Sequence, residues 1–245
     1  MSQPRSIDEI LADLAYQTAA GTAHMDVAEG LSKVDPVVLN SARTFFAMTI
    51  DAHLFYALMA AARMHDDQRN AITIHTLLER VATEPAKFDK GGEVATAIMS
   101  AEATLAGLKR ELERLDTWRN RRLSHNQSLL SDPTFAVQQT REYERDLRTI
   151  FEATSRIANE FSRLYRDIYS DPSIIGQTDY EMVVGYVSDV KCQQVHEYEK
   201  EFGPAPFPRP ANYNRWLERH KQSEPPQSPQ TVPAPSKPSA AKPKI

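Results

Sequence analysis

The sequence predicts an all-α fold: an antiparallel bundle of long amphipathic helices with a disordered, proline-rich C-terminal tail. Three observations carry this. Apolar residues recur at i, i+3, i+4 and i+7 through most of the chain, the period of a helix with one side in a core. Serine or aspartate, twice followed by proline, stands where these runs begin, as a helix N-cap does. The 8 glycines form neither a GxGxxG nor a phosphate-loop pattern, so the common nucleotide-binding α/β folds lack their fingerprint.

The first helix is expected from about Ser6 to Ala20, where Ile7, Ile10, Leu11 and Leu14 share a face and Ser6 with Glu9 makes a capping box. Residues 21–33 mix small and polar side chains and read as a loop or a short helix. Asp35-Pro36 opens a second helix expected to continue to about Met64. Its apolar residues cover more than one face, so other helices should wrap it. Asp51 and His53 within it read as hydrogen-bonded residues at the core edge, and with Arg43 they argue against a membrane span. Ile74, Leu77, Leu78 and Val81 form a short helix, and residues 87–92 a loop around Gly91-Gly92. From Glu93 another long helix runs through Val94, Ile98, Ala101, Leu105, Leu108, Leu112 and Leu115. Its charged residues up to Asp116 read as a solvated face with i, i+4 pairs. Ser131-Asp132-Pro133 starts a third long helix, with Tyr143, Leu147, Ile150, Phe151, Ile157, Phe161 and Leu164 in its apolar stripe. It should lie antiparallel to its predecessor across the short connection 126–132. A further helix is expected from Thr178 to about Phe202 and two helical turns from Tyr213 to Lys221. After about Gln222 there is too little apolar material to offset the entropy of ordering.

In this reading the 245 residues divide into an N-terminal helix and linker (1–33), a helical bundle (34–170), an accessory helix (171–202) and a tail (203–245). Cys192 is the sole cysteine, which rules out an internal disulfide and argues against a cysteine-based zinc site. With a polar N-terminus lacking a signal-peptide pattern, this points to a cytoplasmic protein with no membrane partner.

The stretch Trp118-Arg119-Asn120-Arg121-Arg122-Leu123-Ser124-His125 stands apart. It holds three arginines in a chain of formal net charge −4, and no acid follows Asp116 until Asp132. Guanidiniums so close repel one another unless an anion or solvent screens them, which suits a phosphate. His125 adds the side chain whose unperturbed pKa lets it exchange protons near neutrality. A plainer account fits the same residues: cations at a helix C-terminus bonding its last carbonyls.

Arg119-Asn120 followed by His125 resembles the signature of the HEPN superfamily of all-helical nucleic-acid-processing domains. The string 118–125, with the apolar helix upstream, looks most like the abortive-infection, AbiU-type branch, a likeness extending from about Val34 to Tyr169. It implies a metal-independent endoribonuclease in phage defence or a toxin-like system, needing no cofactor or metal. In that role Arg119, Asn120 and His125 are the catalytic residues. RNA is the expected substrate, a homodimer the expected assembly, and an antitoxin or other regulatory protein a further partner. From the residues themselves, His125 suits a general acid or base, and Arg119 offers a fixed donor fork to non-bridging phosphate oxygens. Asn120 suits orientation of the phosphate or a hydroxyl. Arg121, four residues before His125, shares its face, and Arg122 suits RNA backbone. Six residues of helix turn a side chain through roughly 600°, leaving positions 119 and 125 about 120° apart. An irregular helix or a second copy of the motif would be needed to bring both to one phosphate. Some toxins of the superfamily carry a tyrosine two residues after the histidine that a partner enzyme modifies; here that position is Gln127.

Two alternatives from other classes remain at this point. One is a non-catalytic helical module that binds RNA or protein through the same basic end. The other is a metal phosphohydrolase built on His65-Asp66 with His24 or His53 and Asp116.

Overall fold

The computed structural model describes residues 5–66, 71–88, 91–125, 133–166 and 179–221. Among the described residues all regular structure is helical: α1 (Ile7–Ser32), α2 (Pro36–Ser41), α3 (Arg43–Met64), α4 (Ile74–Thr83), a 3-10 turn (Pro85–Lys87), α5 (Gly91–Gly107), α6 (Lys109–His125), α7 (Pro133–Arg166), α8 (Asp179–Phe202) and α9 (Tyr213–Lys221). The connection expected at 126–132 and the stretch expected to be disordered after about Gln222 lie outside the described residues, whereas residues 203–221 of the tail are described and include α9. The chain divides into two compact units, Met1–Val187 and Ser188–Ile245, with α8 running across the division.

The N-caps fall where the sequence places them. Ser6 Oγ accepts from the Glu9 N–H at 3.2 Å, and the Glu9 carboxylate accepts from the Ser6 N–H at 2.8 Å, closing the capping box. Asp35 accepts from the Val37 N–H at 2.9 Å. Three boundaries differ from the sequence reading. Helix α1 does not stop near Ala20 but continues to Ser32. Gly21 lies inside it because α7 comes close there: a Cβ on Gly21 would stand 2.2 Å from Phe151 Cζ. The helix expected from Asp35 to Met64 breaks at Ala42 (φ −142°, ψ 53°) into α2 and α3. The helix expected to run on from Glu93 breaks at Leu108, between α5 and α6.

The first unit is a bundle whose directions follow from paired residues. Asp8 of α1 pairs with Arg166 of α7, and Asp26 and Glu29 with Arg148, so α1 and α7 are antiparallel. Thr18 meets Met64 and His24 meets His53, so α1 and α3 are antiparallel too. Tyr143 meets Leu54 and Thr154 meets His65, so α3 and α7 run in the same direction. Ile10, Leu14, Leu58, Met64, Leu77, Leu147, Ile150 and Phe161 fill the space between these helices and α4. Burying each such side chain stabilises the fold by roughly 1.5–3 kcal/mol. The wrapping of α3 is one-sided at its N-terminal half: Phe46 is buried, whereas Phe45 and Met48 are 55% and 66% exposed. By length and composition alone α3 is apolar enough to cross a membrane; in this fold Leu54, Ala57, Leu58 and Ala61 belong to the core.

His65 closes α3 and faces α7. The Thr154 hydroxyl donates to the Ile150 carbonyl at 2.8 Å, so at 2.9 Å from His65 Nε2 it accepts that ring's N–H. This leaves Nδ1 as a buried lone pair without a hydrogen-bond partner among the described residues. Burial, then the nearby His75, holds the His65 pKa down at about 4. A histidine depressed on folding contributes stability that is present above its ordinary value near 6.5 and lost as pH falls toward 4. The loss attributable to His65 is expected to reach roughly 3 kcal/mol. Urea unfolding from pH 7 to 4 checks it: His65→Gln, which keeps a donor for Thr154, should flatten the decline. An unchanged slope would refute the assignment.

In the second unit Cys192 and Val195 of α8 pack with Tyr213 and Trp216 of α9, and Ala205, Phe207 and Leu217 cover them. Gly203 (φ 83°) ends α8 in the left-handed conformation that favours glycine. Glu199 then gathers the returning chain, accepting from Arg209 Nε at 2.8 Å and from the Tyr213 hydroxyl at 2.9 Å.

Candidate nucleic-acid interface at the end of α6

Arg119, Asn120, Arg121, Arg122 and His125 form the C-terminal turns of α6, which is helical from Lys109 to His125. The expectation that the flanking helices are antiparallel neighbours holds: Arg114 and Trp118 of α6 meet Asp146 and Tyr143 of α7 in reversed order. The motif therefore forms the last turns of α6, directly after the residues that meet α7.

Two contacts hold α6 to α7. Arg114 donates through Nε to Asp146 Oδ2 at 2.5 Å and through Nη2 to Asp146 Oδ1 at 2.7 Å, a bidentate fork between helices. The Asp146 side chain is only 7% exposed, so this pair is largely out of water. One turn later the half-buried Trp118 packs on Tyr143, ring centroids 5.3 Å apart and planes inclined by 50°. The Tyr143 hydroxyl in turn donates to the Leu54 carbonyl of α3 at 3.0 Å, tying the base of the motif to a third helix.

Arg119 comes next. Its guanidinium is partly exposed and lies 3.3 Å from the carboxylate of Asp116, which is 62% exposed. An i, i+3 pair this open to solvent contributes little and yields readily to a stronger anion. Asn120 is exposed. Arg121, Arg122 and His125 are placed on helical backbone, while their side chains lie outside what is described. At the level of helix register, positions 119 and 125 stand about 120° apart and positions 121 and 125 share a face.

The metal constellation is not assembled. Among the described residues no three of His, Cys, Asp and Glu stand where one metal ion could be held. His65 is bonded to Thr154, and His24 to His53. The reading of His53 as a hydrogen-bonded residue at the core edge fits, but its partner, 29 residues away in sequence, was not foreseeable from spacing. Arg114 was also missed: read as part of a solvated face, it instead neutralises a buried carboxylate on α7. Its one sequence signal is Asp146, an acid on the apolar stripe of α7.

The AbiU2 family model, of the HEPN class, matches residues 7–184. No curated protein and no solved structure matches the chain.

Proposed function

Because the chain belongs to the AbiU2 family of HEPN-like abortive-infection domains, we propose that it is a metal-independent endoribonuclease whose site is the end of α6. The observation that carries this reading is the basic turn Arg119–Arg122 followed by His125 at the C-terminal end of α6, directly after the residues that hold that helix to α7, and followed by no acid until Asp132. RNA supplies its own nucleophile. The 2′-oxygen bonds to phosphorus as the 5′-oxygen leaves, giving a 2′,3′-cyclic phosphate and a 5′-hydroxyl. One proton must leave the 2′-hydroxyl and one must reach the departing 5′-oxygen; His125 suits either transfer at neutral pH. Negative charge grows on the non-bridging oxygens, which the Arg119 fork can bind once Asp116 gives way. Arg121 and Arg122 supply phosphate contacts along the strand, and Asn120 a hydrogen bond for orientation.

A homodimer is part of this proposal. Position 119 and position 125 face different directions on one helix, so two copies related by a two-fold axis supply the pair to one phosphodiester. Tyr143 packs on Trp118 and bonds Leu54, which puts position 125 on the order of 10 Å further along, toward the N-terminal half of α3. There Phe45 and Met48 offer apolar surface that a second copy can bury.

The test is cleavage of single-stranded RNA by the full chain in EDTA. The expected products carry a 2′,3′-cyclic phosphate, and their production falls by about 10²–10⁴ with His125→Ala. Binding without any product, weakening steeply with salt, would instead make the chain a non-catalytic RNA module.

A further inference from the structure

His24 of α1 and His53 of α3 meet with their Nδ1 atoms 2.7 Å apart, ring centroids 4.8 Å apart and planes inclined by 45°. Two ring nitrogens at this distance share a hydrogen bond, so one carries the proton and the other presents its lone pair. The rings are therefore opposite tautomers. The donor is protonated at Nδ1 and bare at Nε2; the acceptor is bare at Nδ1 and protonated at Nε2. Tyr56, one turn along α3, stacks on His24 at 3.9 Å and 25°, holding that ring between two aromatic neighbours.

Among the described residues few charges bear on the pair. On α1, Asp26 and Glu29 are occupied by Arg148 of α7, and Tyr16 is exposed. On α3 the groups are Asp51 and, beyond Tyr56, Arg63. On α6 Arg114 is paired with Asp146 and Arg119 with Asp116, and on α2 Asp35 serves as the N-cap. Burial, then the charge of the partner ring, lowers the pKa of His24, and burial lowers that of His53.

We propose that His24 and His53 form an acid-opened latch on the seam between α1 and α3, closed with no added proton or one and released by the second. The first proton goes to the bare Nε2 of the donor ring, whose Nδ1–H still reaches the neutral partner. The second has one place left, the acceptor Nδ1 that holds the bond. Once it is taken, two cations face each other N–H to N–H and the rings must part. The groups are depressed on folding, so the seam is intact above the ordinary histidine value and loosens as pH falls below it. His53 directly precedes Leu54, whose carbonyl anchors Tyr143 beneath the basic turn of α6. Latch and motif support thus share one turn of α3.

The test uses the full chain with 15N-labelled histidine, and no nuclease activity is needed to read it. Scalar coupling between the two Nδ1 nuclei across the hydrogen bond is expected at pH 7, with the rings titrating in two separated steps. Hydrogen-exchange protection factors of α1 amides around His24 should fall ~tenfold or more between pH 7 and pH 5. In His53→Gln the side-chain amide can still donate to His24 but cannot become a second cation, and that fall should shrink to the part that His65 supplies through unfolding. Two rings titrating together at the ordinary histidine value without coupling, or an equal fall in His53→Gln, would overturn the latch.

Discussion

Arg119→Ala and His125→Ala are each expected to lower the rate of RNA cleavage by about 10²–10⁴, and a mixture of the two inactive proteins is expected to recover part of it. A positioned acid or base and an oxyanion-directed donor each supply gains of about that size. Recovery on mixing follows from register. The helix from Lys109 to His125 is unbroken, and positions 119 and 125 on it stand about 120° apart. If each site takes its guanidinium from one protomer and its imidazole from the other, a mixed dimer holds one site with both groups intact and one with neither. Random exchange makes half the dimers mixed, so the mixture should reach about a quarter of the wild-type rate. Zero recovery, with exchange verified by differently tagged chains, would place both groups in a single protomer. Full activity of either variant alone would remove that residue from the chemistry.

The fold was legible to the extent that it rests on local signals. Helix starts at Ser6 and Asp35 depend on capping chemistry within a few residues, and the long stripes of α1, α3 and α7 on apolar spacing. What was not legible depends on partners distant in sequence. Residues 21–33 read as a loop or a short helix because they mix small and polar side chains; they continue α1, and Gly21 is where Phe151 of α7 needs the missing Cβ. The breaks at Ala42 and Leu108 fall inside runs whose apolar spacing is continuous, so periodicity passes through them unmarked. At the candidate site the basic turn was visible because its residues are contiguous. The supports beneath it were not, because Arg114–Asp146 and Tyr143–Leu54 join helices 32 and 89 residues apart in sequence. Charge alternation on α6 gave Arg114 the look of a surface residue, and its burial partner lies on another helix.

Arg114→Leu is expected to lower unfolding free energy by about 2–4 kcal/mol, although leucine is a good helix former and suits a partly covered position. The cost comes from what stays behind. Asp146, 7% exposed, loses both arms of the guanidinium fork and becomes a carboxylate with little access to water. Arg114 itself is 30% exposed, so solvent can enter and keep the loss below that of a fully enclosed pair. Arg114→Lys should fall between, because an ammonium keeps the charge but cannot satisfy both carboxylate oxygens in one plane. The decisive variant is the double Arg114→Leu/Asp146→Leu, which removes the stranded charge and places apolar surface on both facing helices. It should recover most of the stability lost by Arg114→Leu alone, measured as a shift of the urea midpoint at constant slope. A double variant less stable than the single would mean that the pair's hydrogen bonds, rather than the stranded charge, dominate the cost. Trp118 still packs on Tyr143 in each variant, so cleavage retained by the double would show that the fork holds α6 to α7 without setting the chemistry one turn away.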